Sequence, residues 1–405
     1  MLNLLLAIRN VVRHRRRSLM AIGAIAFGAA AILISAGFIG WIFENFREYS
    51  IHSHLGHIQV TSEKQAPDQS DDPFSSLLPM NSPDLAAIRS YPDVDLVAPR
   101  LSFSGLVSSG DSTLSFVGEG VDPELERRLS LSMTVSAGMG LDSTDPDGVL
   151  LGEGLARNLG VKPGDKLVLL VTPRSGSISA VEAHVRGTFF TVTKAYDDSA
   201  LRIPLRLAQS LLHVNGVQRW LILLRHTDDT PRVLESLGDK LRGHGLRLTP
   251  WWTLADFYNK TVMLFSRQLD VIKVVIATIV VLSISNTMMM NVLERTREIG
   301  TSMALGTPRR IVLAQFLLEG ATLGLLGGAI GLVIGIVVAV ILSALGIPMP
   351  PPPGMSHGFV GGVSLNASLL AQAFLLAFIT TLLASIYPAR RASRLPIVDS
   401  LRHNR

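Results

Sequence analysis

Long apolar stretches alternate with mixed sequence along this 405-residue chain, in a pattern typical of a membrane protein. A helix needs about 20 mostly apolar residues to cross about 30 Å of hydrocarbon, because lipid offers no partner to an unpaired backbone amide. Four stretches meet this requirement, namely 18–43, 274–293, 321–347 and 369–387. The last two lie in a block of 70 residues without Asp, Glu, Lys or Arg, interrupted by the prolines at 350–353.

The segment between the first two spans has the composition of a soluble protein and is long enough for a domain with its own core. Alternating apolar positions predict strands, and apolar positions three or four apart predict helices. The predicted strands are 57–61, 114–117, 166–171, 183–191 and 220–225, and the predicted helices are 82–90, 152–159, 205–214 and 231–244. We expect two subdomains, one of them the Gly-, Ser- and Asp-rich region 108–147, and a mobile loop at 65–82.

The predicted fold class is an α-helical membrane protein with four transmembrane helices plus a large α+β extracytoplasmic domain inserted between the first and second helices. In chain order the predicted parts are a cytoplasmic basic amphipathic segment 1–17, transmembrane helix 1 at 18–43, the extracytoplasmic domain with its stalk at 44–273, transmembrane helix 2 at 274–293, a cytoplasmic coupling loop 294–319, transmembrane helix 3 at 321–347, a short extracytoplasmic loop 348–368, transmembrane helix 4 at 369–387 and a cytoplasmic tail 388–405.

The charge distribution predicts the orientation, because short loops rich in Lys and Arg tend to stay in the cytoplasm. Segments 1–17, 294–319 and 388–405 together contain 14 basic and 4 acidic residues, whereas the rest of the chain contains 23 basic and 28 acidic residues. The overall charge of +5 is therefore +10 on these three segments and −5 elsewhere. Both termini are predicted to be cytoplasmic in a bacterial inner membrane, and the basic bias does not indicate a nucleic-acid partner.

The first span has a second interpretation, a cleaved signal peptide. Its 26 uncharged residues contain no clear small-x-small cleavage site, which favours a retained anchor. The overall composition agrees with a membrane protein, since 48% of the residues are hydrophobic and only 17% are charged. The absence of cysteine excludes disulfides and thiolate metal sites.

Three histidines, His52, His54 and His57, are candidates for a metal site. On a strand, alternation would put His57 on the opposite face from the other two, so the three could not converge without a bend. We interpret them as surface polar residues near the membrane exit.

The stretch 148–170 (GVLLGEGLARNLGVKPGDKLVLL) predicts a strand, a short helix, a tight turn at 163–165 and a second strand. It is not a phosphate-binding loop, because no Lys-Ser/Thr pair opens a long helix and Asp165 places a carboxylate where an anion would bind. The chain has no GxSxG or HExxH motif. We therefore predict no catalytic, cofactor-binding or metal-binding residues, although a scattered Ser/His/Asp triad stays open.

The stretch 291–306 (NVLERTREIGTSMALG) continues the second span into a charged amphipathic helix. Val292, Ile299 and Met303 form an apolar stripe, and Gly306 with Pro308 ends the helix. Two interpretations are open, a solvated turn between spans and a surface that docks on another protein through the stripe.

Glycines recur at four-residue spacing in the third span, as 320/324/328 and 327/331/335. Small residues let helix backbones approach closely in lipid. The predicted helix-packing residues are Gly320, Gly324, Gly328, Gly331 and Gly335. Packing within the chain and an interface between two copies or two partners are both open.

Several of these motifs resemble the FtsX-like/MacB-like ABC transporter permease family, which includes the lipoprotein-releasing LolC/LolE-type permeases. The resemblance rests on ERTREIG at 294–300 followed by ALG at 304–306, on PARRA at 388–392, on AIRN at 7–10, on GHIQV at 56–60 and on the unit 148–170. It covers nearly the whole chain. The stretch 188–197 departs from the lipoprotein-releasing pattern, which usually has glycine where this chain reads FTVTK.

The resemblance implies a non-catalytic permease subunit that pairs with a second permease copy or paralogue and binds a cytoplasmic ABC ATPase. The chain contains no GxxxxGK[ST] motif, so ATP and Mg are expected on a separate ATPase chain and no cofactor on this one. The residues that correspond to the family's ATPase-docking loop are Glu294, Arg295, Arg297, Glu298, Ile299, Gly300, Leu305 and Gly306.

The implied function is to transmit ATP-driven motion to the periplasmic domain, which would export or extract a lipoprotein, lipid or other amphiphile. Membrane lipid and a periplasmic lipoprotein or adaptor are the further partners implied. Three alternatives stay open: an FtsX-type regulator that activates a periplasmic cell-wall hydrolase, a membrane-anchored periplasmic hydrolase, and a ligand sensor that signals through a kinase.

Overall fold

The computed structural model describes residues 15–64, 74–129, 133–173, 176–191, 193–351 and 356–396. Most of the predicted segment 1–17, part of the predicted mobile loop and the end of the predicted tail lie outside these ranges. The chain divides into two compact units. A helical unit comprises Met1–Phe43, Val262–Pro348 and Val360–Arg405, and a sheet unit comprises Glu44–Thr261 and Met349–Phe359.

Helices and strands follow one another along the described parts of the chain. The α-helices are α1 (Arg15–Ser50), α2 (Pro83–Arg89), α3 (Pro123–Leu129), α4 (Glu153–Leu159), α5 (Lys194–Asp197), α6 (Leu205–Leu212), α7 (Thr230–Lys240), α8 (Trp251–Leu254), α9 (Asp256–Glu294), α10 (Thr296–Ala304), α11 (Arg309–Leu345) and α12 (Ala367–Ser393). The strands are β1 (Ile58–Ser62), β2 (Leu78–Pro79), β3 (Val94–Ser109), β4 (Ser112–Val121), β5 (Thr134–Gly138), β6 (Gly148–Gly152), β7 (Lys166–Val171), β8 (Ser179–Phe190), β9 (Ala200–Pro204), β10 (Gly216–Val217), β11 (Arg219–Leu224), β12 (Leu246–Pro250), β13 (Ile347–Met349) and β14 (Phe359–Gly361).

Within the described ranges, four helices are long and apolar enough to cross a membrane, namely α1, α9, α11 and α12. Each coincides with one predicted span, so the expectation of four long apolar helices is confirmed. All four are longer than the apolar stretches: α1 continues to Ser50, α9 begins at Asp256, α11 begins at Arg309 and α12 continues to Ser393. Hydropathy locates only the apolar part of a helix, and the charged residues of these extensions are compatible with the helical backbone.

A proline lies inside α12, where it removes one backbone donor. Pro388 has no N–H to offer the carbonyl of Ala384, four residues earlier. The hydroxyl of Ser285 in α9 donates to that carbonyl over 2.9 Å. A side chain on a neighbouring helix thus satisfies the acceptor, which lets the helix continue through the proline.

The sheet unit is built on a ten-stranded mixed sheet in the order β12-β1-β11-β3-β4-β9-β6-β8-β5, with β7 paired to both β3 and β8. The predicted strand at 166–171 is confirmed as β7, and the four predicted helices correspond to α2, α4, α6 and α7. The expectation of a separate subdomain at 108–147 is wrong, because β4 lies in the middle of this sheet between β3 and β9. The Gly- and Ser-rich composition reflects an open strand surface rather than a domain boundary.

The predicted strand–helix–turn–strand unit at 148–170 is confirmed as β6, α4 and β7. Gly160 ends α4 in the left-handed conformation at φ 75°, which is the usual role of glycine after a helix. Gly164 adopts φ 100° in the following turn, and the Asp165 carboxylate accepts from the backbone N–H of Lys162 at 2.7 Å. This carboxylate closes the turn on itself and leaves no cradle for an anion.

The two faces of the sheet carry different cores. One face packs Trp220 and Ile222 of β11 into a large cluster with residues of α2, α4, α6 and α7. The other face packs Leu221 and Leu223, which alternate with them, against the chain that follows α1. Strand alternation thus assigns neighbouring residues of β11 to opposite cores.

Candidate functional site

Residues 294–319, here called the coupling segment, contain α10 and the start of α11. One side of α10 is buried, since Ile299 and Met303 pack in one apolar cluster with Val292, Val312 and Phe316. The apolar stripe is therefore covered by the chain itself, and this corrects the interpretation that the stripe docks on another protein. Periodicity identifies an apolar face but does not say what covers it.

Arg295 lies between two glutamates and stabilises the segment internally. Its Nε donates to Glu298 Oε2 at 3.2 Å, and its Nη1 donates to Glu319 Oε2 at 3.4 Å. The guanidinium also lies 5.7 Å from the centre of the Phe316 ring, a distance that suits a cation–π contact. Glu319 is only 3% exposed, so it needs the positive charge that Arg295 provides.

The remaining predicted docking residues differ in their accessibility. Glu294 forms an ion pair with Arg17 of α1. Gly300 is buried with Ile299, whereas Arg297, Leu305 and Gly306 are exposed. Five of the eight predicted residues are thus exposed, namely Glu294, Arg297, Glu298, Leu305 and Gly306.

The exposed side of the segment centres on the turn between α10 and α11. Leu305 is 84% exposed, an unusual position for a large apolar side chain. Gly306 adopts φ 100°, which a residue with a Cβ rarely does, and the Ser302 and Thr307 hydroxyls lie 2.8 Å apart across the turn. The exposed surface continues with Pro308, Arg309, Arg310 and Ile311. The result is a fixed, protruding apolar residue beside positive charge.

The first glycine series of α11 faces α12. A methyl group placed on Gly320 would overlap the Ser385 hydroxyl, and one on Gly324 would lie 3.1 Å from Cβ of Thr381. Gly328 faces Phe374, and a methyl group on this glycine would lie 3.1 Å from the phenylalanine ring.

The second series faces α1. A methyl group on Gly331 would lie 2.6 Å from the backbone oxygen of Ala26, and one on Gly335 would lie 2.8 Å from Leu33. At Gly327 it would lie 2.7 Å from Ile25. Both series are therefore occupied by helices of the same chain, and the backbones approach to distances that only glycine allows.

A five-residue π-helix, Ile51–Leu55, follows α1 and contains two of the three histidines. The His54 ring stacks on Tyr196 with centroids 5.4 Å apart, and His52 Nδ1 donates to the Leu129 carbonyl at 3.2 Å. The expectation of surface histidines on a strand is wrong, since they lie on a helical turn packed against the sheet. Among the described residues, no group of three His, Cys, Asp or Glu is placed to hold a metal ion.

His57 is 1% exposed and has both ring nitrogens occupied. The backbone N–H of Leu224 donates to Nδ1 at 3.0 Å, so Nε2 carries the hydrogen and donates to the Thr227 hydroxyl at 2.9 Å. Thr227 donates in turn to the Glu48 carboxylate. Burial, together with the nearby His52 and Arg47, lowers the pKa of His57 to about 3. A histidine held in this way is not a catalytic base.

A buried ion cluster lies on the same side of the sheet as the π-helix. Arg100 and Arg202 are 0% exposed, and both pair with Glu126, at 2.6 Å from Arg100 Nη2. Arg219 Nη2 lies 2.5 Å from Glu119 Oε1. Burial raises the pKa of Glu119, but Arg100, Arg219 and Arg202 outweigh burial and lower it to about 2.

Arg202 connects this cluster to the π-helix, because its Nη2 donates to the Ser53 carbonyl at 2.7 Å. Sequence reasoning missed the cluster. The available signal was a single charged residue inside an apolar strand, as in FVGEGV at 116–121 and ALRIP at 200–204. A lone charge in such a run predicts a buried partner, because an unpaired charge in a core is costly.

Two family models match the chain over most of its length. The MacB-like periplasmic core domain matches residues 18–240, and the FtsX-like permease C-terminal domain matches residues 271–397. The first match alone covers more than half of the chain.

Two relatives that match this chain share one name with each other. The macrolide export ATP-binding/permease protein MacB of Sodalis glossinidius is 25% identical over 98% of this chain and 60% of its own length. The MacB of Salmonella choleraesuis is 40% identical over 36% of this chain and 20% of its own length. Among solved structures, the periplasmic region of MacB from Actinobacillus actinomycetemcomitans matches with a TM-score of 0.36 and 12% identity, over 50% of this chain and 92% of that one. The chain thus spans about three-fifths of the Sodalis relative.

Proposed function

This chain belongs to the family that joins a MacB-like periplasmic core domain to an FtsX-like permease C-terminal domain, and we propose on that premise that it is the permease component of an ABC transporter. In this proposal an ATP-hydrolysing partner binds the coupling segment, and a second permease copy or paralogue completes the membrane part. The main observation behind this proposal is the turn at Leu305. The turn is held rigidly on its buried side and exposes an apolar residue beside Arg309 and Arg310.

The internal structure of the coupling segment supports this role. The apolar cluster and the Arg295–Glu319 pair hold α10 against α11, so a force applied at Leu305 would move the helices instead of deforming the turn. A docking element needs this division, with one side that anchors it and another that a partner can reach.

The spans support mechanical transmission over solute conduction. The predicted spans contain no Asp, Glu, Lys or Arg, and an ion or polar-solute path through a bundle usually carries such residues. Aromatic pairs join α1 to α9, with Phe43 6.4 Å from Phe265 and Phe46 5.6 Å from Phe257. These contacts would make the two helices move together.

The cargo we propose is an amphiphile handled at the periplasmic face of the bacterial inner membrane: a lipoprotein, a lipid or an amphiphilic drug. The names of the relatives specify macrolide export for those proteins. A macrolide is therefore the first cargo to test, and a lipoprotein is the second. Susceptibility of cells that lack this chain, with and without complementation, would separate the two.

We expect Leu305→Asp to abolish association with the ATP-hydrolysing partner, because a carboxylate replaces the exposed apolar contact. The measurement is co-purification from native membranes, with ATPase activity of the eluate as the readout. Ile178→Asp is the matched control, since Ile178 is 76% exposed in the sheet unit and should not affect docking.

Two outcomes would contradict the proposal. Equal recovery of ATPase activity with Leu305→Asp and the wild type would place docking elsewhere. Absence of any ATPase from the wild-type eluate would favour the membrane-anchored hydrolase or the kinase-linked sensor. Point substitution is preferable to deletion of residues 294–298, because Glu294 and Arg295 form ion pairs whose loss would disturb the fold.

A further inference from the structure

Residues 349–351 and 356–359, here called the strap, lie in sequence between α11 and α12 but belong to the sheet unit. Its described residues include His357, whose Nε2 lies 2.6 Å from Glu153 Oε2. The His357 ring also stacks on Phe190, with ring centroids 3.8 Å apart and planes inclined by 26°. The strap is thus held by a hydrogen bond and by a ring contact to two different elements, α4 and β8.

The position that receives His357 is rigidly built. Glu153 opens α4 between two glycines, and a methyl group on either glycine would collide with Asp197 or Asp198 of the neighbouring turn. The glycines therefore let α4 lie directly against that turn, which fixes the Glu153 backbone. Phe190 ends β8, where Thr191 donates to the buried Asp197 carboxylate at 2.8 Å.

The strap itself returns tightly at the contact. A methyl group on Gly358 would collide with the Met349 carbonyl, so glycine is needed where the two sides of the strap pass each other. This close approach fixes His357 one residue before the crossing.

The contact is also suited to opening. The side chains of His357 and Glu153 are 41% and 34% exposed, so water can replace their mutual contact as they separate. Exposed polar contacts are weak for this reason, in contrast to the buried Arg202–Glu126 ion pair of the same unit. Two further acidic residues lie near Glu153, namely Asp197, which is buried, and Asp198, which pairs with Lys194 at 2.5 Å.

We propose that the strap is a reversible latch: His357 binds the Glu153–Phe190 position in the resting protein and leaves it during each transport cycle. The loop between the third and fourth apolar helices then becomes a second route, besides α1 and α9, by which the membrane part acts on the periplasmic domain. The release step rests on the proposed transport function, whereas the resting contact does not.

The experiment uses the absence of cysteine, since any introduced pair is the only thiol pair in the full chain. In the double variant Glu153→Cys/His357→Cys, we expect a short thiol-specific bifunctional cross-linker to join the two positions in native membranes, detected as one linked peptide by mass spectrometry. The matched control is Arg247→Cys/His357→Cys. Arg247 is exposed in β12, which lies five strands from β8 by the shortest path through paired strands, β1, β11, β3 and β7.

A yield in the test pair no higher than in the control pair would overturn the resting contact. With ATP and the co-purified ATPase, the yield should fall at least twofold, and the cross-linked protein should lose transport-coupled ATPase activity. Undiminished activity of the cross-linked protein would overturn the release step. Failure of the transport proposal would give a different result. In that case no ATPase would be recovered, but the resting cross-link would persist.

A second measurement separates the two contacts. His357→Phe retains a ring on Phe190 but loses the hydrogen bond to Glu153, and His357→Ala loses both. Limited proteolysis of the full chain should cut the strap several-fold faster in His357→Ala than in the wild type, with His357→Phe between them. Equal rates in all three proteins would show that His357 does not hold the strap.

Discussion

At the scale of single residues, His57 shows how the sheet unit uses a histidine as a fixed structural bond. Its two ring nitrogens connect β11 to Thr227 and, through that hydroxyl, to Glu48. Only the neutral ring can accept from Leu224 and donate to Thr227 at the same time. These two hydrogen bonds therefore require the neutral form of the His57 ring, and this predicts how the stability of the protein responds to pH.

The folded protein keeps His57 neutral down to about pH 3, whereas a histidine in the unfolded chain binds a proton near pH 6.5. The lowered pKa thus contributes stability that is fully present above pH 6.5 and is lost as the pH falls from 6.5 towards 3. The expected slope from this residue is up to about 1.4 kcal/mol per pH unit. Urea unfolding of the full chain in detergent, followed by tryptophan fluorescence between pH 4 and pH 8, measures it.

His57→Gln should flatten this pH dependence while it lowers stability at pH 7 by about 1–3 kcal/mol, because the Leu224 N–H loses its acceptor. His226→Gln, at an exposed position of the same unit, is the control and should change neither quantity. An unchanged slope in His57→Gln would assign the acid sensitivity to other groups.

At the scale of elements, α11 is the centre of the helical unit because its two glycine series face different helices. Gly324 and Gly328 lie against α12, and Gly331 and Gly335 lie against α1. The spacing of the glycines was visible in the sequence, but the helices that they face were not, since any close neighbour satisfies the same pattern. In the same way, the sequence showed the apolar stripe of Ile299 and Met303 but not that other residues of the same chain cover it.

Gly331→Leu should destabilise the helical unit, because the added side chain meets the backbone of Ala26 and neither helix can yield without losing contact elsewhere. Overpacking of this kind typically costs about 1–3 kcal/mol. The matched control is Gly23→Leu in α1, where an added Cβ meets nothing within 4 Å. Thermal unfolding in detergent compares the two, and equal melting temperatures would show that α1 does not pack on this glycine.

The sheet unit shows where sequence reasoning about elements succeeds. Strand β7 and the four helices were predictable because their apolar periodicity and their Gly and Pro boundaries are local. The buried cluster of Arg100, Arg202, Glu119 and Glu126 was not, because strand register brings these residues together from four separate stretches. The π-helix was likewise missed, since nothing local marks its widened turn.

At the scale of the whole molecule, the order of spans and domain was predictable because hydropathy and charge are properties of continuous stretches. The strap was not predictable, since its partner Glu153 lies 204 residues away in the sequence. The orientation in the membrane stays a prediction that rests on the distribution of Lys and Arg.

The predicted orientation can be tested with two single-cysteine variants of this cysteine-free chain. In intact spheroplasts, a membrane-impermeant maleimide should label Ile178→Cys, in the periplasmic domain, but not Leu305→Cys. Both should react after permeabilisation, because both positions are exposed on the protein. Labelling of Leu305→Cys in intact spheroplasts would reverse the predicted topology and with it the docking proposal.

The bond between Ser285 and Ala384 has a consequence for biogenesis. Because Pro388 supplies no N–H, α12 on its own would enter the membrane with this carbonyl unsatisfied, and a bare polar group in hydrocarbon costs several kcal/mol. Docking on α9 removes that cost only in the register that aligns the hydroxyl with the carbonyl. The helix α12 thus selects for its correct neighbour, and its membrane insertion and its pairing with α9 become one coupled event.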